Sequence, residues 1–375
     1  MEELNPFLLA GYRGPEYFCD REEETRRITS HVLNGVNTTL FSLRRMGKTG
    51  LIYHVFHTLQ RKKQASCIYL DIYASQNLKE FTGQLAGAIL KAFPEHKTIG
   101  KKFTLLLKSL RPVIHYDALT GEPEIKLDLA QPSQHEHSLA SLFQFLDQHD
   151  TTILVALDEF QQIASYPEKN IEALLRSIIQ PLKNVRFIFG GSSRHLLNEI
   201  FSDNKRPFFA STQPLFLTSI PKEKYTSFIE LKLQSNKRKI TPEALDFILT
   251  WTRGHTYYTQ VVCNRLFASG IKNINLQEVQ LLCSTLLNEQ EPVFYQYRNL
   301  LTSVQWELLK AIAIEEKVYQ PSSKKFMEKH PVGTPSNVQR ALEALLTKEI
   351  IYSERDENGN YYSVYDCFLS RWLSR

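Results

Sequence analysis

The sequence predicts an α/β protein: a parallel sheet with helices on both faces, followed by a helical domain and a C-terminal winged helix. Three observations carry this expectation. Short apolar runs alternate with helical periodicity through the N-terminal part of the chain. One run is followed by a basic turn containing Gly47-Lys48-Thr49, and another ends in Asp158-Glu159. The last part reads as three helices and a β-hairpin.

The chain has 375 residues, 42% hydrophobic and 23% charged, which is ordinary globular composition. That length suggests more than one core, and three domains are expected. A net charge of +5 is too small for this length to argue for nucleic acid by itself. Cys19, Cys67, Cys263, Cys283 and Cys367 are scattered singly with no CxxC pair, as in a reducing compartment rather than a disulfide framework or a zinc site. MEELNPFLLAGYRGPEYF does not have the pattern of a secretory signal, and no apolar run approaches a span of about 20 residues. A cytoplasmic protein with no membrane partner is expected.

Residues 38 to 43 (TTLFSL) have a β-branched and aromatic apolar core and read as the first strand. After the Gly-Lys-Thr turn, LIYHVFHTLQRKKQ puts apolar residues at helical spacing. SCIYLDIY (66 to 73) is the second strand, LKEFTGQLAGAILKAF (78 to 93) a helix stopped by Pro94, TTILVALDEF (151 to 160) the third strand and VRFIFGGSS (185 to 193) the fourth. Between them, residues 111 to 129 alternate around Thr-Gly-Glu-Pro and read as an inserted hairpin. After Pro221 come three helical patterns, KEKYTSFIELKLQ, PEALDFILTWTRG and TYYTQVVCNRLFASG. From about residue 299, SVQWELLKAIAIEEK, SSKKFMEKH and PSNVQRALEALLTKE predict three helices, and IIYSERDENGNYYSVYD a hairpin through Glu-Asn-Gly-Asn. The expected domains are 1 to 218, 219 to 297 and 298 to 375.

The chemistry concentrates at two strand ends. A helix N-terminus presents backbone N–H groups and the positive end of its dipole, so a tight loop before it can wrap a phosphate. Residues 42 to 49, Ser-Leu-Arg-Arg-Met-Gly-Lys-Thr, match the phosphate-loop pattern GxxxxGK[ST] except at its first glycine. Gly47 allows close backbone approach, Lys48 supplies a cation for the β and γ oxygens, and the Thr49 hydroxyl can ligate magnesium. Arg45, Met46 and Gly50 complete the candidate nucleotide-binding loop. A serine in place of the first glycine would cost roughly 1 to 3 kcal/mol if positive φ were required there, which phosphate binding can offset.

The companion signal is ILVALDEF, a charge-free strand ending in two carboxylates. At the edge of a neighbouring strand, Asp158 can orient magnesium and Glu159 can polarise the attacking water. After the fourth strand, Ser192, Ser193 and Arg194 are placed to reach a γ-phosphate, with Arg194 neutralising its charge. The candidate catalytic set is therefore Lys48, Asp158, Glu159, Ser193 and Arg194. His54 with His57, and His135-Glu136-His137, have no third ligand at zinc spacing. No serine sits in a GxSxG turn and no cysteine has a local catalytic signature.

Six ordered blocks carry a resemblance: Phe18-Cys19-Asp20-Arg21-Glu22, Arg44-Arg45-Met46-Gly47-Lys48-Thr49, Leu157-Asp158-Glu159-Phe160, Gly191-Ser192-Ser193, Arg253-Gly254-His255-Thr256-Tyr257-Tyr258, and the terminal Tyr365 to Leu373. Across nearly the whole chain the sequence resembles the archaeal-type ATPases, signal-transducing (STAND) P-loop NTPases related to AAA+ proteins, of the ASCE division. The resemblance implies a nucleotide domain, a helical lid and a winged helix, with ATP or ADP held with magnesium between the first two. It places Asp20 and Arg21 near base and ribose, and has the Gly254-His255-Thr256 turn close over the nucleotide. The family usually has Gly where Ser42 stands and often Pro where Thr256 stands.

The expected function is ATP binding with magnesium-dependent hydrolysis that drives a conformational switch among the three domains. The alternatives are a nucleotide-gated scaffold and a DNA-binding regulator, each with little or no turnover. The third winged-helix helix, PSNVQRALEALLTKE, offers chiefly Arg340 and Lys348 as basic residues, and its domain is nearly neutral. DNA affinity scales with the phosphates neutralised, so a protein partner or self-association through the winged helix is favoured over DNA.

Overall fold

The computed structural model describes residues 4–94, 98–110, 112–116, 123–127 and 132–375. They fall into two compact units, one within residues 10–219 and one of residues 4–9 with 220–375.

The first unit is a three-layer α/β domain. In chain order it contains α1 (Glu22–Leu33), β1 (Thr38–Ser42), α2 (Lys48–Arg61), β2 (Ser66–Asp71), α3 (Leu78–Ala92), α4 (Thr98–Ser109), β3 (Pro112–Tyr116), β4 (Pro123–Leu127), α5 (Pro132–Asp147), β5 (Ile153–Asp158), α6 (Ile171–Ile179), β6 (Val185–Gly191), α7 (Arg194–Ser202) and β7 (Gln213–Leu217). Five strands pair in parallel in the order β2-β5-β6-β1-β7. This bears out the parallel sheet, with a fifth strand, β7, beyond the four expected. QPLFL is short and carries a proline, which suits an edge strand and weakens its sequence signal.

Every residue of β5 is buried, because alternate side chains enter different cores. Ile153, Val155 and Leu157 face one with Phe187, Phe189, Leu142 and Leu85; Leu154 and Ala156 face the other with Ile188, Leu51 and Val55. A run buried on both faces reads as continuous apolar sequence, which is why ILVALD was legible. Each Leu, Ile or Phe so buried contributes about 1.5 to 3 kcal/mol. The expected inserted hairpin is present as β3 and β4, antiparallel from Pro112↔Leu127 to Tyr116↔Pro123; its turn at 117–122 lies outside the described residues.

The second unit contains α8 (Lys222–Gln234), β8 (Lys239–Ile240), α9 (Pro242–Trp251), α10 (Thr256–Ala268), β9 (Asn273–Ile274), α11 (Leu276–Leu300), α12 (Ser303–Glu315), α13 (Lys324–Lys329), α14 (Pro335–Thr347), β10 (Ile351–Asp356), β11 (Gly359–Val364) and α15 (Cys367–Leu373). Residues α12 to β11 form the winged helix, with β10 and β11 antiparallel and a bridge from Val318 to Tyr362. The N-terminal strap belongs here too: Phe7 is buried against Phe267, Asn5 Nδ2 donates to Asn264 O at 2.9 Å, and Asn264 Nδ2 donates to Phe7 O at 2.7 Å.

Guanidinium groups tie the end of α9 to the winged helix. Arg371 donates from Nε to Trp251 O at 2.8 Å and from Nη2 to Thr250 O at 3.1 Å, and pairs with Glu316. Cations near a helix C-terminus also meet the negative end of its dipole. Arg371→Ala is expected to cost on the order of 2 kcal/mol, since the group lost is charged and largely buried. Urea unfolding measures this, and an unchanged midpoint contradicts it.

Candidate functional site

β1 delivers the chain to the loop 43–47, and α2 begins at Lys48. Ser42 is the last residue of β1, paired in register with Leu217, fully buried, with its Oγ donating to Leu43 O at 2.7 Å. It is not among the residues with positive φ, so a serine there carries no left-handed strain. The left-handed turns fall instead on Arg45 (φ 62°) and Gly47 (φ 92°). Met46, between them, buries its side chain in the core with Leu51 and Val55, so it pins the loop down through packing. Arg45 is exposed. Gly50 faces the Phe18 ring: a Cβ there would lie 3.3 Å from Phe18 Cε2.

Lys48 is 8% exposed, and its ammonium group pairs with Asp158 and with Glu159 Oε1 at 3.0 Å. Asp158 is the last residue of β5, and its Oδ2 accepts from Tyr69 OH at 2.9 Å and Thr49 Oγ1 at 3.3 Å. Glu159 takes a left-handed conformation, φ 55°. Its Oε2 accepts from Gln161 Nε2 at 2.6 Å, Ser192 Oγ at 2.8 Å and Ser192 N at 3.2 Å. Burial pushes the Glu159 carboxyl up, but the Lys48 charge and the bonds from Gln161, Lys48 and Ser192 outweigh it and hold the group below the usual carboxylate range. Burial raises Asp71, which lies opposite Asp158 in the register, and Tyr69 is also raised, by burial first and then by Asp158.

The sheet order corrects one expectation. β5 is not next to β1; β6 lies between them. The Lys48 side chain reaches Asp158 over Gly190 of β6, where a Cβ would stand 2.8 Å from Asp158 Oδ1 and 3.4 Å from Lys48 Cδ. Sequence reasoning missed Gly190, Tyr69 and Gln161. The Gly190-Gly191 pair inside an apolar strand was the available signal, since strand glycines mark close approach.

Other candidate residues take separate places. Ser192 binds Glu159, and Arg44 Nε approaches Ser192 Oγ at 3.5 Å. Ser193 stands at the N-cap of α7, and Arg194 opens that helix with Nη2 donating to Leu217 O at 3.4 Å. Asp20 and Arg21 both have positive φ just before α1. The Arg21 guanidinium is buried, bound to Glu24 at 2.9 Å and to Thr218 O at 2.6 Å, so it fastens α1 to the end of β7. His54 bonds the Tyr12 hydroxyl at 2.9 Å and stacks on Phe18 at 4.4 Å.

Gly254, His255 and Thr256 lie in the other unit, between α9 and α10. Gly254 N donates to Leu249 O at 2.8 Å and Arg253 N to Thr250 O at 3.1 Å, the paired bonds of a Schellman motif. His255 is the N-cap of α10, and Thr256 O accepts from Tyr225 OH at 3.2 Å.

A loop with left-handed turns before a helix, a lysine at that helix's start and a carboxylate pair two strands away make up a P-loop-like arrangement on a parallel sheet, in a chain that ends in a winged helix. Comparisons agree at the level of fold. The family model described as a probable winged helix domain matches residues 292–375. A Walker-type ATPase of Pyrococcus abyssi is similar over 99% of this chain and 100% of its own, with TM-score 0.67 and 18% identity. The ORC2 protein of Aeropyrum pernix, solved in ADPNP-ADP complexes, is similar over 100% of this chain and 96% of its own, with TM-score 0.61 and 14% identity. The ORC1 protein of the same organism, solved with DNA, has TM-score 0.51 and 14% identity over 96% of this chain and 93% of its own. No curated protein matches by sequence. Among the described residues, no helix is long and apolar enough to cross a membrane.

Lys48→Ala leaves Asp158 and Glu159 buried together without their cation. The unliganded variant is expected to lose about 3 kcal/mol or more, and Glu159→Gln in the same chain to restore part of it. Chemical unfolding of the three proteins measures both effects; a Lys48→Ala midpoint equal to wild type contradicts the ion pairing.

Proposed function

We propose that this protein binds ATP with magnesium and hydrolyses it, using the hydrolysis to switch its conformation. The observation that carries the reading is the meeting of Lys48, Thr49, Asp158 and Glu159 at one strand end. The fit to a magnesium nucleotide is chemical. Thr49 Oγ1 and the Asp158 carboxylate are hard oxygen donors 3.3 Å apart, and Gly190 leaves room above them. The first amides of α2, Gly47 and Lys48 suit a phosphate chain. Bound magnesium would supply charge neutralisation at the phosphate oxygens and orient them.

Lys48 gives up its carboxylate partners to bind β and γ oxygens, and Thr49 and Asp158 would hold the magnesium ion. Glu159 accepts a proton from water as its oxygen attacks the γ-phosphorus; the β–γ bridging bond breaks, its electron pair stays on ADP, and inorganic phosphate leaves. Ser193 and Arg194 follow Ser192, which bonds Glu159, and are proposed to sense the γ-phosphate. On the family resemblance, Asp20 and Arg21 border the base, and the Gly254-His255-Thr256 turn is the lid's contact. The STAND subtype and the three-part domain division belong to the same proposal.

For the winged helix we propose a protein partner or self-association. Arg340 and Lys348 of its third helix are exposed, but they are few for a phosphate-binding face. Salt-sensitive duplex binding at low ionic strength is the result that would favour DNA.

Glu159→Gln is expected to keep ATP affinity within about threefold while phosphate release falls by about a hundredfold or more. Lys48→Ala is expected to lose binding by calorimetry. Turnover unchanged in Glu159→Gln would remove that residue from the reaction; no binding by wild type to any adenine or guanine triphosphate would sink the nucleotide reading.

A further inference from the structure

Glu159 is held unequally. Its Oε2 has three donors, Gln161 Nε2, Ser192 Oγ and Ser192 N, at 2.6, 2.8 and 3.2 Å, whereas its Oε1 is bonded to Lys48 at 3.0 Å. Gln161 follows Glu159 by two residues, on the 3-10 turn Phe160–Ser165. Its amide occupies the space where Gly191 would carry a Cβ, and such a Cβ would overlap Gln161 Oε1. Gly191 is paired with Phe41 inside the sheet, where φ imposes no need for glycine. The missing side chain serves to admit the Gln161 amide.

We propose that Gln161, admitted by Gly191 and assisted by Ser192, is a positioning residue that assigns different tasks to the two oxygens of Glu159. Oε2 is the anchor and stays on Gln161 and Ser192 through the cycle. Oε1 is the working oxygen: in the empty site it neutralises Lys48, and it is released when a phosphate takes that ammonium group. The carboxylate then meets water with its plane already fixed, without a search among rotamers. The inference rests on the ATPase reading above and adds residues to it.

The structure also makes Gln161 and Gly191 one coupled pair, so their substitutions should not add. The first measurement needs no nucleotide. Chemical unfolding of wild type, Gln161→Ala, Glu159→Ala and the double variant is expected to show a midpoint loss for Gln161→Ala that is largely absent in the Glu159→Ala background. The second uses ATP and its non-hydrolysable analogue. Gln161→Ala should lower kcat about ten- to a hundredfold while the analogue's Kd stays within about twofold. Gly191→Ala should behave alike, and the double variant should be no worse than the poorer single. Gln161→Glu, isosteric but repelling Glu159, should be at least as slow as Gln161→Ala. Additive midpoint losses, a wild-type kcat in Gln161→Ala, or a loss confined to Kd each overturn the proposal. Midpoint coupling in a protein that binds no nucleotide would overturn the ATPase reading and the catalytic role with it, leaving only a structural contact.

Discussion

One ammonium group and two carboxylates, all largely out of water, meet at the C-terminal end of a parallel sheet, and most nearby sequence choices answer to them. Removing such charges from water costs several kcal/mol per ion, and mutual attraction repays it only when the remaining lone pairs are also satisfied. Each carboxylate oxygen here is accordingly met. Tyr69 and Thr49 cover Asp158 Oδ2; Lys48 and the Glu159 amide cover Oδ1; Gln161 and Ser192 cover Glu159 Oε2. Gly190 and Gly191 supply no donors. They clear the volume through which Lys48 and Gln161 reach the carboxylates.

The same cluster depends on β6 lying between β1 and β5. With the lysine-bearing helix on one strand and the carboxylates two strands away, the lysine side chain spans an intervening strand, and only a residue without Cβ lets it pass. The floor of that passage also carries Ser192 at its end, within reach of Glu159. A site built from side chains on three strand ends thus depends on sheet order, which parallel register fixes from Thr38↔Ile188 and Leu157↔Phe189 onward.

How much of this was legible in the sequence differs by kind of signal. The central strands were clear because both faces are covered, so TTLFS, ILVALD and VRFIFGG show no polar alternation strong enough to confuse, while the edge strand SCIYLD was carried by its apolar and aromatic residues although it is only partly buried. The loop, Lys48, Thr49, Asp158 and Glu159 were legible because their chemistry demands particular residue types at strand ends. Strand order was not, since no local feature of β5 says whether its neighbour is β1 or β6; the adjacency read from sequence failed there. β7 escaped through Pro214 and its mostly exposed, non-apolar start. The cost assigned to Ser42 depended on a φ that sequence does not reveal, and the loop puts its left-handed residues at Arg45 and Gly47 instead. Gln161 looked like an ordinary polar residue because its role exists only through the space left by Gly191.

In the other unit the connection between parts runs through side chains rather than linker. Arg253 adopts the left-handed position of the Schellman motif, φ 56°, where glycine is usual, and its guanidinium donates to Ser363 Oγ at 3.0 Å and Ser370 Oγ at 2.7 Å. The backbone strain of a non-glycine residue there, on the order of 1 kcal/mol, is offset by two bonds from a rigid planar fork that a lysine would not reproduce. Arg371 returns the tie from α15 to the carbonyls of Thr250 and Trp251, and Cys367 Sγ adds a bond to the same Trp251 carbonyl. The turn Arg253-Gly254-His255 therefore shares its hydrogen bonds with β11 and α15.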